Sequence, residues 1–390
     1  MNHVIIGMSA IVMLWMSGFA QAAVPHVFSD GEPAIAAEVN ENFNALDTRV
    51  ASLEEGKAGD DNTISIDVDC DKNESVNHVI AGAAPANHLF VNISGTCRER
   101  IVITRSNVSL LGDVDSVTAI EFIETPLSAF HSSLTVDDLG ESQGAINILG
   151  AQNIIIAHLT ISGAVNDNIV TDEPGSGVAV RANGSAFIQH SIITGNRVGI
   201  DTRAGGSVIL SNNQINDNLV YGVMATDGGM IRLIGGNTII QAGPRSGTSL
   251  NSAVAGYRNS TVTVLGRNTI TASPSSDNRA IEMHYGSQFR SYHGLLMVNG
   301  TASVTYNSRL DYRDTEHSGN IFIGIKGTVR LQNRLNQTTT GVIVNGDVSV
   351  STLGVLTTSS GTTMNSSVTC NGNSSYAFVS GEISGLITGC

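Results

Sequence analysis

Three groups of side chains in this 390-residue chain have the types and spacing that chemistry needs. Asp201 and Arg203 stand in Gly199-Ile200-Asp201-Thr202-Arg203, following Arg181 and close to Asp227. Two carboxylates with an arginine suit glycosidic-bond chemistry if they are held at the right separation. The plainer reading is solvated side chains on the outer face of a sheet. Residues 279–317 are denser, with Arg279, Glu282, His284, Tyr285, Arg290, Tyr292, His293, Tyr306, Arg309, Asp311, Tyr312, Arg313, Asp314, Glu316 and His317. Tyr and His rings beside Arg could stack on sugars and hold uronate carboxylates, which makes Glu282, His284, Tyr285, Arg290, Tyr292 and His293 the candidate ligand-binding set. The alternative is an irregular segment whose aromatic side chains cover the protein's own surface. Asp67, Asp69 and Asp71 have the Asp-x-Asp-x-Asp spacing of a calcium loop, and strand alternation would place them on one face. Lys72 and His78 stand where an EF-hand needs Gly and Glu, which leaves only a simple surface calcium site. No other metal and no cofactor is expected.

The charge balance narrows the function classes. The formal charge is −14, yet residues 1–141 hold 21 Asp/Glu and 6 Lys/Arg while residues 142–390 hold 13 and 14. The acidity is therefore N-terminal, and neither part offers the basic face of a nucleic-acid binder. Of the 20 basic residues 17 are Arg, the exceptions being Lys57, Lys72 and Lys326.

Residues 1–22 read as a secretory signal peptide, an apolar run from Val4 to Phe19 followed by Ala20-Gln21-Ala22. Met1-Asn2-His3 supplies no Lys or Arg, and a retained N-terminal anchor is the competing reading; no later stretch approaches membrane length. The one Trp, Trp15, falls within this leader, so the mature chain has none for a sugar platform. Secretion, to the periplasm or beyond the cell, makes the four cysteines candidates for disulfides, for which three connectivities exist. Pairing Cys70 with Cys97 and Cys370 with Cys390 would staple each end of the mature fold. No Cys-x-x-Cys or Cys/His cluster suggests a metal instead.

Two kinds of element follow. Ala36, Val39, Phe43, Leu46, Val50 and Leu53 recur at heptad spacing, which predicts a helix with one apolar seam. Residues 23–61 are thus expected to be a coiled-coil stem and polar linker, with residues 36–53 making the chain a homo-oligomer; packing of the helix on its own chain is the alternative. From residue 62 the pattern changes to short β-branched runs punctuated by Gly and Asn. Ser176-Gly177-Val178, Val198-Gly199-Ile200 and Tyr221-Gly222-Val223 recur with their Gly residues 22 and 23 apart. That period marks a solenoid whose repeat holds three short strands. Stacking at about 4.8 Å per turn would make roughly ten coils about 50 Å long.

Val68-Asp69-Cys70, Val76 to Gly82, Leu89 to Glu99, Ile101-Val102-Ile103 and Val108 to Gly112 resemble the opening of right-handed parallel β-helices of the pectin lyase-like and pectin methylesterase-like families. The resemblance implies a short cap over the first coil, here Ser75 to Ala84, and a Gly-x-x-x-Glu-like turn at Gly95–Glu99. It also implies that Asn213, Asn237 and Asn268 form a structural ladder at one bend. The segment from Phe28 to Leu53 is similar to a short stem found ahead of varied secreted bacterial domains, which implies no activity. The catalytic motifs of pectate lyases, polygalacturonases and pectin methylesterases do not occur, so the likeness carries the scaffold without the sites.

The sequence therefore predicts an all-β, right-handed single-stranded parallel β-helix over residues 62–390, preceded by a helical stem and a signal peptide. The expected function is a secreted or surface-associated binding or structural module at polysaccharide or cell surfaces, with no membrane span after signal removal. The alternative is a polysaccharide lyase or glycoside hydrolase with an unfamiliar site.

Overall fold

The computed structural model describes residues 63–84, 87–115, 118–121, 144–165, 175–241, 251–272, 278–292, 294–332, 341–359, 361–378 and 382–390. The segments read as signal peptide, stem and oligomerising helix, as well as His293, lie outside these residues. Asn62–Cys390 forms one compact unit.

Branched residues at alternate positions favour strands, and the 22- to 23-residue period fixes which strands meet. Val178 pairs in parallel with Ile200, and Ile200 with Val223, so one sequence repeat is one coil. Each complete coil gives one strand to each of three parallel sheets, of 13, 12 and 12 strands among the described residues. Sheet A begins at Thr63–Asp69, sheet B at Thr96–Arg98 and sheet C at Ile101–Ile103. The chain visits them in the order A, B, C. This is the right-handed parallel β-helix that the sequence predicts.

The core is the interior of the coils. Val178, Ile200, Val223, Val254 and Ile281 stack from sheet C, and Ile193, Ile215, Ile239, Ile270 and Val298 from sheet B, all without solvent exposure. Each such side chain contributes roughly 1.5–3 kcal/mol on burial. The repeated Gly has a steric cause: a Cβ on Gly199 would lie 2.4 Å from the Gly222 carbonyl oxygen of the next coil.

Two corners satisfy buried backbone with asparagine. Between sheets A and B, the Asn213 amide N–H donates to Asn237 Oδ1 at 3.1 Å, and Asn237 Nδ2 donates to Asn268 Oδ1 at 2.9 Å. These are the three residues named for a ladder, and all are buried. A second ladder, not read from the sequence, lies between sheets B and C, where Asn196 N–H donates to Asn218 Oδ1 at 3.1 Å. An unpaired buried donor would cost about 1–3 kcal/mol, which the ladders avoid at the coils they span.

Helix α1 (Val76–Gly82) lies where the cap is expected, with Ser75 as its N-cap and Val76 and Ile80 buried against the first coils. Disulfides join Cys70 to Cys97 and Cys370 to Cys390, the near-neighbour pairing. No helix among the described residues is long and apolar enough to cross a membrane.

Candidate functional site

Among the described residues, the outer face of sheet C carries two buried polar clusters. In a parallel strand alternate residues point outward, and register then lines them up from coil to coil. Ala179, Asp201, Met224, Ala255, Glu282 and Ser303 form one outer row. Val198, Tyr221, Ser252 and Arg279 form the row beside it, three positions earlier in each strand because the following Gly199, Gly222, Ala253 or Ala280 also turns inward. Just beyond the strand ends, Arg203, Tyr257 and His284 follow the paired residues Thr202, Gly256 and Met283 of their respective coils.

Asp201 is fully buried, which overturns its reading as a solvated side chain. Its carboxylate is held between two arginines: Arg181 Nη2 donates to Oδ2 at 3.1 Å, and Arg203 Nε lies 2.9 Å from Oδ2 and donates to Oδ1 at 3.1 Å. A charge this deep is tolerated because two cations meet it. Asp227 does not join them. It sits at the turn from sheet C to sheet A with φ 51°, partly exposed and 3.3 Å from Arg258 Nη1.

Three coils further on, Glu282 makes a second centre. Its Oε1 accepts from Arg279 Nη1 at 2.7 Å and lies 3.1 Å from His284 Nε2, while Ser252 Oγ donates to Oε2 at 2.7 Å. Burial opposes ionisation of this carboxyl, but His284, Arg279 and Ser252 together outweigh it and hold it below the usual carboxylate range. Between the two centres, Val198, Met224 and Ala255 make a small apolar cluster on which Tyr221 and Tyr257 pack. The two phenol oxygens are 3.1 Å apart. Burial raises both phenols above their ordinary value, with the Glu282 charge adding to it, so they remain neutral hydroxyls.

His284 leads from this face to the corner with sheet A. Its ring lies 5.6 Å from Tyr257 and 6.0 Å from Tyr285. Tyr285, 54% exposed, stacks on Tyr306 at 5.0 Å with the rings nearly parallel. Both tyrosines adopt the left-handed backbone, with φ 53°. Glu282, His284 and Tyr285 are thus brought together.

Arg290 and Tyr292 belong elsewhere. They point outward from Gln288–Tyr292 on sheet A, where Arg290 Nη2 donates to Gln288 Oε1 and the Arg313 guanidinium lies 5.0 Å from the Tyr292 ring centroid. The candidate binding set is therefore divided between two faces. Tyr312 and His317, counted with the rich stretch in sequence, are core residues without exposure.

Of the three N-terminal aspartates, Asp67 and Asp69 line one surface pocket with Lys72 and Glu74, and Asp71 stands outside it. Asp67 accepts from Asn92 Nδ2 at 2.8 Å, and Asp69 lies 2.7 Å from Lys72 Nζ. Asp71 leaves the strand in the 3-10 turn Cys70–Lys72 and accepts from Thr96 N–H at 3.1 Å. The strand ends two residues before Asp71, so the alternation that puts Asp67 and Asp69 on one face does not reach it. Among the described residues, the one group of three candidate metal ligands is Cys70, Cys97 and Glu99, and its two cysteines are joined to each other.

Sequence reasoning missed Tyr221, Ser252 and Tyr257 as partners of these centres. The coil alignment holds the signal, because extending the Gly199–Gly222 register by one coil sets Tyr221 beside Ser252.

A family model described as "Right handed beta helix region" matches residues 91–305. No curated protein matches the sequence. Among solved structures, pectin methylesterase PemA from Erwinia chrysanthemi is 13% identical with a TM-score of 0.37, over 71% of this chain and 92% of that one. A pectin methylesterase in complex with a hexasaccharide is likewise 13% identical at 0.37, over 69% and 88%. The A-module of mannuronan C-5 epimerase AlgE6 from Azotobacter vinelandii is 14% identical at 0.30, over 81% and 94%.

Proposed function

The chain belongs to the right-handed β-helix family, and from that premise we propose that it is a secreted or surface-associated module that binds polysaccharide without cleaving it. The observation that carries this reading is the state of the two carboxylates on sheet C. Asp201 and Glu282 share a row but stand three coils apart, about 14 Å at the spacing of paired strands. Paired glycosidase carboxylates lie within about 5–9.5 Å. Each is moreover held by cations of its own, which occupy the oxygens a substrate would have to reach. What the face offers is a set of half-buried donors, Arg203, Arg279, His284 and the two tyrosine hydroxyls, of the kind that hold sugar hydroxyls and carboxylates.

Two disulfides fit an oxidising compartment outside the cytosol, which agrees with the leader read at residues 1–22. The stem at residues 36–53 would gather several copies and so multiply weak contacts along one polymer.

A panel of acidic and neutral polysaccharides tests the reading when retention and product release are measured together. Retention without new reducing or unsaturated ends is expected. Release of such ends that disappears in Glu282→Gln or Asp201→Asn would make the chain an enzyme.

A further inference from the structure

The corner that carries each coil from sheet C to sheet A repeats one turn along the molecule. Both of its central residues are left-handed at Ala182-Asn183, Ala204-Gly205, Asp227-Gly228, Arg258-Asn259, Tyr285-Gly286 and Tyr306-Asn307. Gly, Asn and Asp fit such turns, whereas a bulky side chain is strained there. The first position nonetheless changes character along the stack. It is small or charged at Ala182, Ala204, Asp227 and Arg258, then apolar at Tyr285, Tyr306 and Ile325. Tyr285 and Tyr306, both at φ 53°, keep the backbone of Ala182 and Ala204 at 50° and 47°, so the turn itself does not account for the change. Bulky residues held in strain where smaller ones fit point to a role outside folding.

The result is an exposed ridge. Tyr285, Tyr306 and Ile325 follow one another on successive coils, and Leu353 takes the second turn position one coil further on. Phe322 points outward from sheet C in the coil of Ile325. Its Cε1 is 3.2 Å from where a Cβ on Gly324 would stand, so the ring leans on the same corner. All five side chains are 41–54% exposed, and the two tyrosine rings lie face to face. The ridge is about 14 Å long at the spacing of paired strands. It presents roughly 500 Å² of apolar surface, a patch size that on a monomer is often functional.

Shape, area and charge select the partner. A turn standing out between two sheets is convex and supplies anchors without a pocket. Its area also falls short of the ~800 Å² per partner of a stable protein–protein interface. A lipid surface requires neither, because its interfacial layer accepts projecting side chains, and tyrosines with one apolar and one polar end settle there. The strands of sheets C and A in these coils, with the turns between them, carry Arg279, Arg290, Arg309, Lys326 and Arg330 against two acids, Glu282 and Asp311. Both acids are buried and paired, Glu282 with Arg279 at 2.7 Å and Asp311 with Arg309 at 2.6 Å. Lys326, exposed, adjoins Ile325 on the ridge itself. A positive surplus beside an apolar ridge suits an anionic bilayer.

We propose that the ridge Tyr285–Tyr306–Ile325, flanked by Phe322 and Leu353, inserts into the interfacial layer of an anionic lipid bilayer and lays this corner of the β-helix on a membrane surface. The proposal goes beyond the polysaccharide reading and does not depend on it.

The test is co-sedimentation of the full mature chain with phosphatidylcholine vesicles, with and without phosphatidylglycerol at roughly one lipid in three. The chain should bind the anionic vesicles, and bind phosphatidylcholine alone several-fold more weakly. The triple variant Tyr306→Ser, Phe322→Ser, Ile325→Ser should bind the anionic vesicles roughly tenfold or more weakly than the parent. A second triple, Val114→Ser, Met230→Ser, Ile240→Ser, removes exposed apolar side chains elsewhere and should keep the parent's binding. Circular dichroism checks that each variant folds, and Ile325→Ser alone, on an exposed turn, should already weaken binding several-fold. Equal binding by the first triple and the parent overturns the proposal, as does a parent that ignores anionic vesicles or binds both kinds equally. A first triple of lower mass than the parent in light scattering, with no vesicle binding by the parent, assigns the ridge to a second copy of the chain and overturns lipid as its occupant. Each of these failures leaves the polysaccharide reading standing, since no polysaccharide enters the measurement.

Discussion

Glu99 closes the first turn of a helix to which it does not belong: its Oε1 accepts the Val76 N–H at 2.6 Å, and its Oε2 accepts Ser75 Oγ at 2.8 Å and Asn77 Nδ2 at 2.9 Å. The Gly95–Glu99 turn thereby ties the first coil to its cap. A carboxylate here meets the unpaired N–H groups and positive end of α1. Glu99→Ala is expected to lower stability by about 1–2 kcal/mol in denaturant titration, and hydrogen exchange should locate the loosening at residues 75–84.

The core contains its own pH response. His317 stands between Val298 and Val344 in the sheet B column, with Tyr312 Oη 3.1 Å from Nδ1. Burial pushes its imidazole down to about 4, against 6.5 in an unfolded chain. The unfolded state therefore takes up the proton first as pH falls. Stability from the neutral ring is full above pH 6.5 and is lost towards pH 4, about 3 kcal/mol in all. Urea midpoints across that window should fall less steeply for His317→Leu than for the parent. Parallel curves would show that His317 is not the group responsible.

Gly199 tests the close approach of neighbouring coils. A methyl there would meet the Gly222 carbonyl oxygen at 2.4 Å and Ile215 Cγ2 at 2.8 Å. Gly199→Ala should cost about 1–3 kcal/mol in thermal or chemical unfolding. Unchanged stability would mean that adjacent coils separate more freely than the sheet C register implies.

The disulfides close segments with sequence separations of 27 and 20 residues, each worth about 3 kcal/mol in the chain-entropy account. Reduction should expose amides near residues 70–97 and 370–390 to exchange while the coils from Val178 to Ile281 stay protected. Simultaneous loss of protection everywhere would show that the ends and the middle unfold as one unit.

For the stem, outside the described residues, Phe43→Asp is expected to convert an oligomer to monomers in light scattering without altering the β-sheet circular dichroism. A parent already monomeric at micromolar concentration would remove the basis for this assembly.

The architecture was legible because a parallel β-helix repeats its constraints. Gly177, Gly199 and Gly222 mark the same tight approach, and Asn213, Asn237 and Asn268 the same corner, so period and role could be read together. Side-chain environments were less legible. Asp201 is outward on its strand, a position that reads as solvated, yet Arg181 and Arg203 enclose it. Glu282 and Arg290 are only eight positions apart in sequence, but the turn at Tyr285 and Gly286 carries the chain from one sheet to another between them. Adjacency along the chain is a poor guide to a shared site here. Position within the coil is the better one.

The asparagine ladders give this fold a reading frame. Because Asn213, Asn237 and Asn268 each answer the neighbouring coil's backbone, inserting or losing a few residues within the strands would slide every later rung out of step. Gain or loss of one whole coil would rejoin ladder to ladder and aliphatic column to aliphatic column. Viable changes in the length of such a chain are therefore quantised in complete turns, while added residues at the corners can bulge outward without shifting the frame.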